Sequence, residues 1–178
     1  MDEWQLSEIR AALEAKGVTL KNGLSEEELA GLESDFGFRF PPDLRAVLHA
    51  FLPAGEEWPD WRGNRQRLME WLDEPADGIE FDVEDGGFWF AAWGGKPDDI
   101  DDAVEEARRQ VALAPVMIPL HGNAFIPARP DESGNPVFTV DGSCVDIVAS
   151  DLAKWFGAAS ATAGKPRRIE LWSDLASE

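Results

Sequence analysis

Chemistry at neutral pH falls first to histidine and cysteine, and this 178-residue chain has only His49, His121 and Cys144. Nucleophilic catalysis needs a nucleophile, a base and a group that orients the base. Cys144 lies in the strand-like run CVDIV without the local signature of a cysteine nucleophile, and reads as a small structural residue. His49 follows Leu48 on a helical stripe, and His121 falls in a turn. With no HExxH or CxxC spacing, these residues predict no zinc centre, and neither a GxSxG elbow nor a phosphate-binding glycine loop occurs. Carboxylates remain, 35 of them. The cluster DDIDD (98–102) lacks the spacing of a calcium loop; negative charge at a helix start explains it. Paired-carboxylate hydrolysis needs two acids roughly 5–10 Å apart across a cleft, and no pair stands out in the sequence. The expectation is a protein that is not an enzyme and has no cofactor or metal.

Charge is the more informative chemistry. From Glu70 to Glu106 the chain carries fourteen Asp and Glu against Lys96 alone, about two-thirds of a net charge of -19. Within this stretch lies the aromatic run FWFAAWGG (Phe88 to Gly95). Nucleic-acid affinity comes from Lys and Arg neutralising phosphates, so a chain of pI near 4.3 is unsuited to it. Anionic membrane surfaces repel the chain for the same reason. A basic protein is instead steered in. Trp58 and Trp61, in the polar loop EEWPDWRGN, are candidate contacts because loop tryptophans recur at interface hot spots. The expected partner-binding set is Trp58, Trp61, Glu80, Asp82, Glu84, Asp85, Asp98, Asp99, Asp101 and Asp102.

The elements that must position these residues follow from periodicity and punctuation. Leu6, Ile9 and Leu13 mark a first helix that Gly17 ends. Ser25 and Glu28 form a capping box for a second helix with Leu29, Leu32 and Phe36 on its buried stripe, stopped by Gly37. Pro41 and Pro42 lead into a third, with Leu44, Val47, Leu48 and Phe51 inward and Pro53 closing it. RQRLMEWL reads as one short helix. Ile79, Phe81 and Val83 then alternate with acids, which predicts a β-hairpin over Ile79 to Trp93 with one acidic and one apolar face. Trp89 and Trp93 fall on one face of its second strand. A further helix starts at the acids 98–102, with Ile100, Val104, Ala107 and Val111 as its stripe. VMIPL, AFIP, VFTV and CVDIV read as strands, SDLAKWF as a closing helix, and RIELW as a last strand or a docked segment. The whole reads as a single α+β domain, residues 1–178: N-terminal helices on a mainly antiparallel sheet, with a C-terminal helix. A flexible segment is expected over 158–168. A lone cysteine, no basic apolar leader and no apolar run near the ~18 residues of a membrane span suit a cytoplasmic protein.

The order SEEELAGLESDFGFRFPPDLRAVL, WPDWR, FDVEDGGFWFAAWGGKP, AVEEARRQVALAPVMIPL, GNPVFTV and DLAKWF resembles the SUKH superfamily, the Smi/Knr-like domain, from about Leu24 to Phe156. The residues that carry the likeness are structural: Glu33, Gly37, Pro41, Pro42, Trp93, Gly94, Pro97, Pro115, Pro119, Pro127, Gly134, Asn135 and Pro136. The resemblance implies an α+β fold and no catalysis. Many bacterial members are immunity proteins that neutralise a cognate toxin, often a nuclease, while fungal relatives regulate the cell wall through protein contacts. Two segments depart from the family pattern: His121-Gly122-Asn123-Ala124-Phe125, and Gly142 to Asp146. The implied function is an immunity-type protein that blocks a basic toxin domain with its acidic surface. The alternatives are a regulatory protein-interaction module with no toxin, or a carboxylate-dependent hydrolase.

Overall fold

A computed structural model of the chain describes residues 1–159 and 164–177. Helix α1 (Glu3–Ala15) starts at Asp2, whose carboxylate accepts from the Gln5 amide at 2.8 Å. Strand β1 (Thr19–Asn22) follows, then α2 (Glu26–Phe36) behind the expected Ser25–Glu28 capping box, with Gly37 in the left-handed conformation at its end. Helix α3 (Pro42–Ala50) is shorter than expected. Phe51 leaves the helix and opens strand β2 (Phe51–Ala54), which pairs antiparallel with β1. This small two-stranded sheet has too little alternation to be seen in sequence.

Helices α4 (Arg65–Glu84) and α5 (Ile100–Leu113) precede a meander of β3 (Met117–His121), β4 (Ala124–Pro127), β5 (Val137–Asp141) and β6 (Cys144–Ala149), all antiparallel and in chain order. Helix α6 (Leu152–Phe156) and the short α7 (Trp172–Leu175) close the fold. The class is α+β, as the sequence predicts.

The meander is covered on both faces. Because successive strand residues point to opposite sides, Ile118, Leu120, Ile126 and Val137 join a core with α1–α3 and α6. Met117, Phe125, Phe138 and Val140 face a second core with Ile79, Val111 and the C-terminal Ile169, Leu171 and Trp172. That is why β3 and β4 read as apolar throughout rather than alternating. Each fully buried phenyl contributes roughly 1.5–3 kcal/mol.

The loop before β5 is pinned by polar groups inside these cores. Asn135 is fully buried; its Nδ2 donates to the carbonyls of Pro127 and Pro130, and its Oδ1 accepts from Arg167 at 2.7 Å. Asp43 accepts from the Gly134 amide at 2.9 Å, and burial raises its pKa although amide donors act against the shift. The expected flexible segment 158–168 lies partly outside the described residues; within them Ala158 is buried and Arg167 holds this loop. RIELW forms no strand: Ile169 docks, and Trp172 Nε1 donates to the Pro115 carbonyl at 2.8 Å.

The expected hairpin over Ile79 to Trp93 does not form. Helix α4 runs on through Pro75 and Gly78 to Glu84. Pro75 removes one hydrogen bond and Gly78 costs about 1 kcal/mol, but Leu68, Pro75, Ile79 and Val83 keep helical spacing and are buried. Tertiary burial along that stripe outweighs the local breakers. The alternation of Ile79, Phe81 and Val83 is incidental, and Phe81 stands 65% exposed. Phe88 to Trp93 form a loop with a single 3₁₀ turn, in which the Trp93 ring meets those of Phe88, Trp89 and Phe90 at 5.9, 5.4 and 5.7 Å. The stripe of α5 is also rotated. Ala103, Ala107 and Val111 are buried while Ile100 is exposed, because small alanines let α5 approach Val83 of α4.

Candidate functional site: an acidic groove along helix α4

Continuing α4 as a helix places Glu70, Glu74 and Asp77 at i, i+4 and i+7, on one face. They form one wall of a groove of about 820 Å³, together with Trp71 and Phe81. The opposite wall is made by the β3–β4 turn, Gly122–Asn123, and by the end of β5 where it enters the β5–β6 turn, Asp141–Gly142. Glu56 and Glu57, after β2, extend the lining, and Arg67 is its only base among the described residues.

Close backbone contact fixes the helix against these turns. A Cβ on Gly78 would meet Gly142 Cα at 2.9 Å, and Gly142 itself has φ +57. Asp82 Oδ2 accepts from the Ser143 amide at 2.7 Å, and Trp71 Nε1 donates to the Gly122 carbonyl at 3.3 Å. The Gly122 amide donates to the Glu57 carbonyl at 2.9 Å. His121 Nε2 lies 3.3 Å from Glu57 and its ring 4.5 Å from that of Trp58.

The groove concentrates uncompensated negative charge. Glu74, Asp77 and Asp141 form no ion pair among the described residues. Burial first, and Asp141 second, raise the pKa of Glu74; burial and Asp77 do the same for Asp73 on the neighbouring face of α4. Glu70–Glu74 and Asp73–Asp77 are like-charge i,i+4 pairs, each destabilising a helix by roughly 0.2–0.5 kcal/mol. Carboxylates flanked by Trp71 and the exposed ring of Phe81 can hold ammonium or guanidinium groups by ion pairing and cation–π contact.

The structure scatters the residues expected from sequence. Trp61 is 3% exposed, edge-on to Phe40 at 5.2 Å; it belongs to the core and cannot meet a partner. Its loop looks polar, but the loop folds back over α3. Trp58 is half-buried between His121 and Trp155. Glu80 is not on an acidic hairpin face: it takes a two-pronged pair from Arg108, down to 2.6 Å, joining α4 to α5. Asp82 is the anchor to Ser143 described above. Asp99 caps α5 through the amides of Asp101 and Asp102. Glu84, Asp85, Asp98, Asp101 and Asp102 are exposed at one end of the α4–α5 pair, outside the groove. The groove acids Glu56, Glu57, Glu70, Glu74, Asp77 and Asp141 were absent from the expected set. The i, i+4, i+7 spacing of Glu70, Glu74 and Asp77 is in the sequence, but ending the helix before Gly78 hides it; Glu56, Glu57 and Asp141 join them only through the fold.

His49 Nδ1 bonds the Leu24 carbonyl at 2.8 Å, His121 pairs with Glu57, and Cys144 is exposed on β6. Among the described residues no group of three or more His, Cys, Asp and Glu is arranged to hold a metal. No helix is long and apolar enough to cross a membrane, again among the described residues. No known protein family, curated protein or solved structure matches the chain.

Proposed function

We propose that this chain is a non-catalytic, cytoplasmic protein-binding domain of immunity type, which neutralises a basic toxin domain by seating it on the α4 groove. The observation that carries the proposal is the groove itself: six carboxylates and one arginine line it. Several arginines elsewhere on the molecule are tied to acids, as in Arg62–Glu28, Arg108–Glu80 and Arg168–Asp174. Like charges held together without counter-charge disfavour the free state, and a cationic partner relieves that repulsion. The field around a body of net charge -19 steers such a partner toward it. The SUKH resemblance of the sequence supports the same reading. The test is co-expression with toxins encoded beside the gene. Rescue of growth by the natural chain, lost in the triple variant E70Q/E74Q/D77N although that variant melts no lower than the natural chain, is the expected outcome. Equal rescue by the triple variant removes the groove from the proposal; no binding of any neighbouring toxin at low salt removes the toxin.

A second reading, a carboxylate-dependent hydrolase, is favoured by one observation. Glu74 has a raised pKa in a cleft with Asp141 acting on it, as a general acid requires. Turnover of chromogenic glycosides that disappears in Glu74→Gln would establish it. Absence of turnover leaves the binding domain, and a general regulatory interaction module differs from the first reading only in having no toxin partner.

A further inference from the structure

The opposite flank of α4 carries a different surface. Here Phe38, Leu72, Val111 and Met117 form the floor of a groove of about 340 Å³ between α4 and the end of α5. Met69 and Val116 line it at 44% and 43% exposure, and Leu113, beside it at the end of α5, is 69% exposed. Single exposed apolar side chains are ordinary; here large ones gather at a concavity. Three carboxylates and Arg108 line the same groove. Asp35 is paired with Arg65 and Glu80 with Arg108, whereas Asp73 has no ion pair among the described residues. Partial burial and Asp77 raise the Asp73 pKa, so a counter-charge beside it favours its ionised form.

From this arrangement we infer that the α4–α5 groove is a docking surface for a partner segment that presents a large aliphatic side chain flanked by lysine or arginine. The aliphatic group fills the apolar floor, and the cation meets Asp73. Charge complementarity selects this occupant over a second copy of the chain, which would bring a further net charge of -19 toward Asp73. The inference is independent of the acidic groove: that site reads cations alone, while this one requires an apolar anchor beside the cation.

The test uses the full chain with methyl groups labelled for NMR and three short capped peptides: leucines flanked by lysines, leucines flanked by glutamates, and lysines only. The leucine–lysine peptide is expected to shift the methyls of Met69, Leu72, Val111 and Val116 saturably. Met69→Glu should weaken this by about tenfold or more, and Asp73→Asn by a few-fold, while Glu74→Gln leaves it unchanged. Val116→Glu stands in should Met69→Glu fail to fold. No shift of these methyls, equal shifts with the glutamate or lysine-only peptide, or equal loss in Glu74→Gln each overturn the inference. Concentration-dependent shifts without peptide, with sedimentation as a dimer, overturn it in favour of self-association.

Discussion

Helix α4 holds two populations of carboxylates that composition cannot tell apart. Glu80 and Asp82 are spent on the fold, one bound by Arg108 and the other by the Ser143 amide. Glu70, Glu74 and Asp77 lie on the same helix within a few turns, yet line an open groove with one arginine. The difference is position around the helix axis. Glu80, facing α5, and Asp82, reaching Ser143, each find a donor there; Glu74 and Asp77, facing the groove, form no ion pair among the described residues. The count of fourteen carboxylates from Glu70 to Glu106 therefore overstates the charge left for a partner. The lesson is that disposition, not number, marks a binding surface.

The comparison breaks most visibly in binding. Neutralising the groove set with E70Q/E74Q/D77N should slow association with a basic partner by about tenfold or more at low salt, and less at high salt. The double variant Glu84→Gln with Asp85→Asn, outside the groove, should change association far less; stopped-flow mixing measures both. Equal losses would mean that net charge alone directs binding.

Next in size is a backbone substitution. Gly78→Ala in an ordinary helix would stabilise by about 1 kcal/mol, but here the methyl meets Gly142 at 2.9 Å. A net loss of about 1–2 kcal/mol is expected from overpacking, read by urea denaturation. Stabilisation instead would show that the turn yields. Asp82→Ala removes the acceptor of the Ser143 amide and should cost about 1–2 kcal/mol, with no effect on partner binding beyond that.

The smallest effect is in pH dependence, and its sign separates an acid held by a base, Glu28 on α2, from an acid of the groove, Glu74. Arg62, with help from the Ser25 amide, lowers the pKa of Glu28 from 4.5 to about 2. The stability this provides is present above the unfolded value and is lost as pH falls toward about 2. Glu74 is shifted upward, so the folded state holds its proton more tightly than the unfolded one. Its ionisation subtracts stability as pH rises through the raised value. Glu28→Gln should thus lower the melting temperature at neutral pH and leave it unchanged at the acid end, whereas Glu74→Gln should raise it at neutral pH. Calorimetry across that range checks both, and a fall in Glu74→Gln would mean that this acid also serves the fold.

How much was legible varies along the chain. The capping box Ser25–Glu28, the stop at Gly37 and the strands of the meander are local devices, written in neighbouring residues, and they are found where expected; the last hairpin turns at Gly142–Ser143, with Asp141 still paired to Cys144. The class α+β follows from them. The region from Glu70 to Trp93 misleads because two periodicities coexist there. Ile79, Phe81 and Val83 alternate as in a strand, while Leu68, Pro75, Ile79 and Val83 recur as in a helix, and Pro75 and Gly78 argue locally for a break.

The sequence by itself determined the charge, the scarcity of nucleophiles and the local caps and turns, because each depends only on residue identity or on neighbours a few positions apart. Only the tertiary structure decided which acids are free. Whether Asp82 meets an amide and Glu74 meets water depends on a turn some sixty residues away, Ser143 bonding one and Asp141 repelling the other. Tertiary packing also set the length of α4, since burial of Ile79 and Val83 against two cores outweighs the propensities of Pro75 and Gly78. No window of sequence contains both partners of such a choice.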